Sequence, residues 1–155
     1  MRVPALGPHG EGWLAGQIAL LVAIVAAGFA GPRWPVPPVF ATVGILLAVL
    51  GLAAMAAGIA ELGSSLTPLP RPRAGATLRR GGVFERVRHP IYGGALVAAV
   101  GWSLAMRPLA LVPTTFATVF LELKSRREET WLAERYTEYD EYRRRVRWRF
   151  IPGVR

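Results

Sequence analysis

The chain has 155 residues, 52% of them hydrophobic and 19% charged, with a mean hydropathy of +0.32; this is more apolar and less charged than soluble domains are, at the length of one domain. It has no cysteine, which excludes disulfide frameworks and thiolate metal sites, and its two separated histidines, His9 and His89, do not suggest a zinc site. A net charge of +9 raises nucleic acid as a partner, but the basic residues flank apolar blocks, which fits anionic lipid headgroups instead.

Residues 12–30 carry no charge, and a first span is predicted over 13–30, about 27 Å of helix against a hydrocarbon thickness of about 30 Å. Trp13 and Trp34 bracket it as interfacial anchors would. Gly31-Pro32-Arg33-Trp34-Pro35 and Pro37-Pro38 then form a turn, since proline blocks helical geometry before it. The segment before this block has only Arg2 as a certain positive charge, and no small-residue cleavage site follows, so the block is expected to be retained. A second span is predicted over 39–62. Its Gly44, Ala48, Gly51, Ala54 and Gly58 permit close helix approach, and with it pairing to a second copy.

Residues 63–90 read as a polar connector with Pro68, Pro70 and Pro72, then Gly75, Gly81 and Gly82; through Arg88 it has six arginines against one acid, Glu85. Two shorter apolar segments follow, 91–106 and 108–123. They are predicted to form a helical hairpin about Arg107-Pro108, about 24 Å per arm. The tail, 124–155, holds ten Lys or Arg and six acids. Within it Glu128–Arg149 reads as a largely helical amphipathic stretch, because Trp131, Leu132, Tyr136, Tyr139 and Tyr142 recur at helical intervals. Pro152 closes it.

The expected fold class is therefore all-α: one membrane domain over 1–155, polytopic, with about four transmembrane helices. The positive-inside rule places both termini, the connector and the tail in the cytoplasm, because the opposite loops offer only Arg33 and Arg107. The location expected is a bacterial inner membrane.

Connector and tail then share one face of the bilayer. Arg88-His89-Pro90-Ile91-Tyr92-Gly93-Gly94 stands at the mouth of the third helix, where free backbone donors welcome a carboxylate or phosphate. Equally open on composition is that Arg88 binds lipid phosphate while the glycines serve packing. Glu128-Glu129 follow the fourth span; in isolation they read as surface ion-pair partners of Arg126 or Arg127. Glu61 and Glu122 lie near span ends, where an acid is a functional candidate. Together the clusters suit S-adenosylmethionine: an arginine fork matches its carboxylate, a glutamate its ammonium, and aromatic or apolar groups its adenine.

The ordered set Gly82-Val83-Phe84, Arg88-His89-Pro90-x-Tyr92-x-Gly94 and Glu128-Glu129-x-x-Leu132 resembles the isoprenylcysteine carboxyl methyltransferase family, itself related to membrane phospholipid N-methyltransferases. Leu66-Thr67-Pro68-Leu69-Pro70 and the later Tyr136, Tyr139, Tyr142 and Pro152 extend the resemblance over about residues 61–152. It implies an S-adenosylmethionine-dependent methyltransferase acting on a lipophilic small-molecule or lipid acceptor. It also implies that Arg88, His89 and Glu129 serve catalysis, and that Arg88, His89, Tyr92, Gly94, Glu128 and Glu129 bind the cofactor, with no metal. Val83 departs from the family's usual proline and Phe84 from its common tyrosine, both in the lead-in turn. Larger relatives have further spans, so the acceptor stays open.

Two other readings stand beside it. A membrane NAD(P)H-dependent reductase of the sterol type shares this C-terminal architecture, although no dinucleotide fingerprint follows a strand here. A non-catalytic module would use the basic tail to hold lipid or a partner.

Overall fold

The computed structural model describes residues 3–154. Among them the chain is all-helical, without a strand: α1 Glu11–Ala27, α2 Pro37–Leu62, α3 Pro90–Ala105, α4 Leu111–Arg135 and α5 Tyr139–Arg145. Proline opens both α2 and α3, a position where its absent N–H leaves no bond unmade. α5 has acids in its first turn and arginines in its last, which complements the helix dipole.

α2 and α3 form the tightest pair, and glycine is the reason. Gly44 faces Gly101 and Ala105, Gly51 faces Gly94 and Ala98, and Gly58 faces Pro90 and Ile91, so the helices run antiparallel. A Cβ at Gly51 would lie 2.4 Å from the Ala98 nitrogen, closer than any side chain fits. This glycine stripe, from which pairing with a second copy is expected, is covered by α3 of the same chain. α1 lies antiparallel to α4: Trp13 packs on Phe120 with ring centroids 5.1 Å apart, and Gly31 meets Leu109.

The large apolar side chains point the other way. Leu21 and Val22 on α1, Leu46, Val49 and Leu50 on α2, and Phe116 and Val119 on α4 are all exposed. A surface of Leu, Val and Phe over an interior of Gly and Ala is the arrangement that lipid favours and water does not. By length and composition one helix, Pro37–Ser65, suffices to cross a membrane, while α1 and α3 are shorter apolar helices.

The loops gather at two ends. At one, Trp34 Nε1 donates to the Ser103 carbonyl at 3.2 Å and Arg107 donates to the Gly31 carbonyl. At the other, the connector docks on the tail: Tyr136 Oη donates to the Ala76 carbonyl at 2.6 Å and Tyr142 Oη to the Phe84 carbonyl at 2.8 Å. Phe84, Tyr139, Tyr142 and Val146 form a small core there.

Two expected boundaries are corrected. The helix expected to end near residue 123 continues to Arg135, because Glu, Lys, Arg and Leu all propagate helix and a change from apolar to charged residues does not stop one. The stretch Glu128–Arg149 is likewise not one helix. It breaks at Tyr136, which has φ −118 and ψ 112, resumes as α5, and leaves α5 at Val146 in an extended conformation.

Candidate active site

The extended segment after α5 folds back over the start of α3. Backbone N–H groups of Arg88 and His89 donate to the carbonyls of Trp148 and Arg149 at 3.0 and 2.8 Å. The Arg88 guanidinium adds Nη1 donations to the Val146 and Arg147 carbonyls, at 2.7 and 3.0 Å. A Cβ on Gly93 would lie 2.2 Å from the Phe150 carbonyl oxygen, so glycine at this place is what admits the strap to α3.

Beneath the strap lies Glu129, with only 5% of its side chain exposed. Its Oε1 accepts from Arg88 Nε at 2.9 Å, His89 Nε2 at 3.1 Å and Arg149 Nε at 3.2 Å. Burial raises the pKa of this carboxyl, but His89, Arg88 and Arg149 outweigh burial and hold it well below the usual carboxylate range. An ionised carboxylate only accepts, so the His89 proton on this side sits on Nε2.

Glu128, one residue earlier, faces elsewhere. Its Oε2 accepts from Tyr92 Oη at 2.8 Å and lies 4.0 Å from His89 Nδ1; its Oε1 makes no hydrogen bond among the described residues. The His89 and Tyr92 rings stack with centroids 5.5 Å apart.

Arg88, His89, Tyr92 and Glu128 all line one cavity of about 310 Å³. Its other walls are Ile59 and Leu62 of α2, Leu66, Pro68 and Leu78 of the connector, and Lys124, Leu132 and Tyr139 of the later helices. A largely apolar cleft with a few convergent polar groups is the usual form of a small-molecule site. Tyr139 belongs to this wall, and its hydroxyl is buried without a hydrogen-bond partner among the described residues. Burial pushes its pKa up, so it keeps its proton as a donor without an acceptor. Buried polar groups are normally satisfied, so an unpartnered hydroxyl on a cavity-lining residue is a candidate for a ligand contact.

The structure thus brings five of the six sequence-selected residues together, in two layers. Arg88, His89, Tyr92 and Glu128 reach the cavity; Glu129 stands behind them. Gly94 does not join: its free side faces the Gly51 carbonyl and Met55 nitrogen of α2, since it lies about 100° round the helix from Gly93. Arg88 spends most of its guanidinium on the chain itself. Sequence reading passed over Arg149 and Lys124. Arg149 is one of ten basic residues in the tail, and only the strap's path singles it out. Lys124 carried a signal, as the first basic residue after an apolar run.

Residues 39–139 match the family model described as phospholipid methyltransferase. No curated protein matches the chain.

Proposed function

This chain belongs to the phospholipid methyltransferase family, and from that premise we propose that it transfers a methyl group from S-adenosylmethionine to a lipophilic acceptor at the cytoplasmic face of a bilayer. The family is one of membrane methyltransferases; the cofactor, the face, the span count and the site residues are our reading. One observation carries it: a single cavity lined by Arg88, His89, Tyr92, Glu128 and Tyr139, the last with a hydroxyl unpartnered among the described residues.

The residues fit the cofactor. Glu128 turns a carboxylate with a free oxygen toward the cavity, which suits an ammonium or a sulfonium. The Tyr139 hydroxyl supplies a donor, and Leu66, Leu78 and Leu132 supply apolar walls for adenine. Arg88 and Glu129 act as positioning groups that fix His89, and through it the wall of the site. When bound, S-adenosylmethionine supplies an electrophilic methyl on a positive sulfur. The chain then has to align an acceptor with that methyl and exclude water, and these two effects supply most of the acceleration in such a transfer.

The topology we propose has four membrane segments, α1, α2, α3 and the first turns of α4, in one domain over 1–155. Six arginines of the connector and the nine basic residues of the tail that the structure describes lie at the cavity end, while the opposite loops have Arg33 and Arg107, which supports placing the site in the cytoplasm.

Equilibrium binding of labelled S-adenosylmethionine to the full chain in detergent tests the reading, together with a mass-spectrometric methylation screen of lipid extracts. Saturable binding and a methylated lipid product are expected. Saturable NADPH binding without S-adenosylmethionine binding would overturn the proposal in favour of a reductase, and binding of neither in favour of a non-catalytic module.

A further inference from the structure

Lys124 is the one lysine of the chain, and it is only 1% exposed. It sits on α4 one turn before Glu128. Its ammonium donates to Gln17 Oε1 of α1 and to the Pro68 carbonyl at 3.1 Å, and it stands 5.2 Å from the centroid of the Tyr92 ring. All these partners are uncharged. Lys124 forms no ion pair among the described residues, although Arg88, Arg126 and Arg149 do.

A buried ammonium without an ion pair is costly, and Glu128 one turn away together with these neutral neighbours returns only part of the lost hydration. It has three N–H donors, two of them used, and it lines the cavity. The cavity therefore holds opposite charges about one helical turn apart, Glu128 bonded to Tyr92 of α3 and Lys124 bonded to Gln17 of α1 and Pro68 of the connector, with the Tyr92 ring near both. Glu128 suits a cationic ligand group. The same wall has, beside it, a cation with one N–H donor unused.

We propose that Lys124 recognises the acceptor by binding an anionic oxygen of its head group, carboxylate or phosphate, while the acceptor's tail lies along the apolar helices. This rests on the methyltransferase reading of the same cavity. Lys124 takes no part in bond exchange; it is a specificity residue, and it selects acidic amphiphiles over neutral or cationic ones.

The test uses the full chain in a nonionic detergent, with oleate, oleyl phosphate and oleylamine as probes of equal chain length. Wild-type protein is expected to bind at least one of the two anions about tenfold or more tighter than oleylamine, the scale of one hydrogen bond to a charged group. The order of oleate and oleyl phosphate says which head group fits. Lys124→Met is expected to abolish that preference while S-adenosylmethionine affinity changes less than about threefold, and Lys124→Arg to retain it. Replacing a buried charge with an apolar side chain of similar length is commonly tolerated; where Lys124→Met does not insert, Lys124→Gln takes its place and is read in the same way. Equal wild-type binding of the anions and oleylamine overturns the proposal. So does a Lys124→Met variant that loses S-adenosylmethionine and anion affinity in the same proportion, which makes Lys124 part of the cofactor wall. Lys124-dependent anion binding in a protein that never binds S-adenosylmethionine would sink the methyltransferase reading and leave the anion site standing.

Discussion

The Tyr92 hydroxyl donates to Glu128 Oε2 at 2.8 Å, which ties the first turn of α3 to α4 across the cavity wall. The next residue along α4, Glu129, points about 100° away into a cluster of Arg88, His89 and Arg149. Adjacent glutamates therefore do different things: one is offered to the cavity, the other holds the cavity's frame together.

That division predicts opposite signatures for the two amide substitutions. Glu128→Gln keeps an acceptor for Tyr92 and removes the negative charge facing the cavity, so S-adenosylmethionine affinity should fall about tenfold or more with little change in thermal stability. Glu129→Gln leaves the buried Arg88 without its carboxylate partner, while Arg149 keeps Glu122, and should cost about 3–5 kcal/mol of stability. Binding isotherms and thermal unfolding in detergent read the two effects separately. Equal loss of affinity with no loss of stability in either variant would erase the distinction.

The pH dependence follows from the same carboxyl. The folded-state pKa of Glu129 is depressed below the ordinary carboxylate value of 4.5. Its contribution to stability is then fully present above that value and is lost as pH falls through the folded pKa. Wild-type protein should lose thermal stability progressively below about pH 4.5, and Glu129→Gln should show a flatter acid limb. An acid limb of the same steepness in both proteins would assign the effect to other groups.

Much of this was legible in the sequence, and the parts that were not share a cause. The apolar blocks located α1, α2 and α3 to within a few residues, because hydropathy and proline report directly on lipid and on helix starts. The end of α4 was misplaced because its charge change reports where the apolar surface stops, which is not where the helix stops. The site was legible as a set of residue types, but its two layers depend on helical phase and on the route of the strap from Val146 to Phe150. Nothing local to Arg149 distinguishes it from Arg147; only the pairing of the strap with His89 does.

Neighbouring glycines of α3 give a test of that phase. Gly93→Ala sets a methyl group where the Phe150 carbonyl now lies, whereas Gly94→Ala sets one against the Gly51 carbonyl and Met55 nitrogen, 2.6 Å from each. Gly93→Ala should lift the strap, seen as faster hydrogen exchange over 146–150 with the helices unaffected. Gly94→Ala should instead push α2 from α3 and lower the melting temperature of the whole bundle. Identical exchange patterns in the two variants would mean the strap is not seated on Gly93.

The orphan hydroxyl of Tyr139 allows a prediction in which the sign is informative. Tyr139 is 1% exposed and its Oη has no partner among the described residues. Removing a buried donor that bonds to nothing relieves a desolvation penalty of about 1–3 kcal/mol, so Tyr139→Phe should leave the ligand-free protein as stable as wild type or more so. If the hydroxyl awaits a ligand atom, the same substitution should weaken S-adenosylmethionine binding by about threefold to tenfold, so that the stabilisation conferred by added cofactor shrinks while the unliganded melting temperature does not fall. Thermal unfolding measured with and without cofactor separates the two contributions. A variant that is less stable alone and binds the cofactor normally would show that Tyr139 serves the small core with Phe84 and Tyr142, and that its hydroxyl has no part in the site.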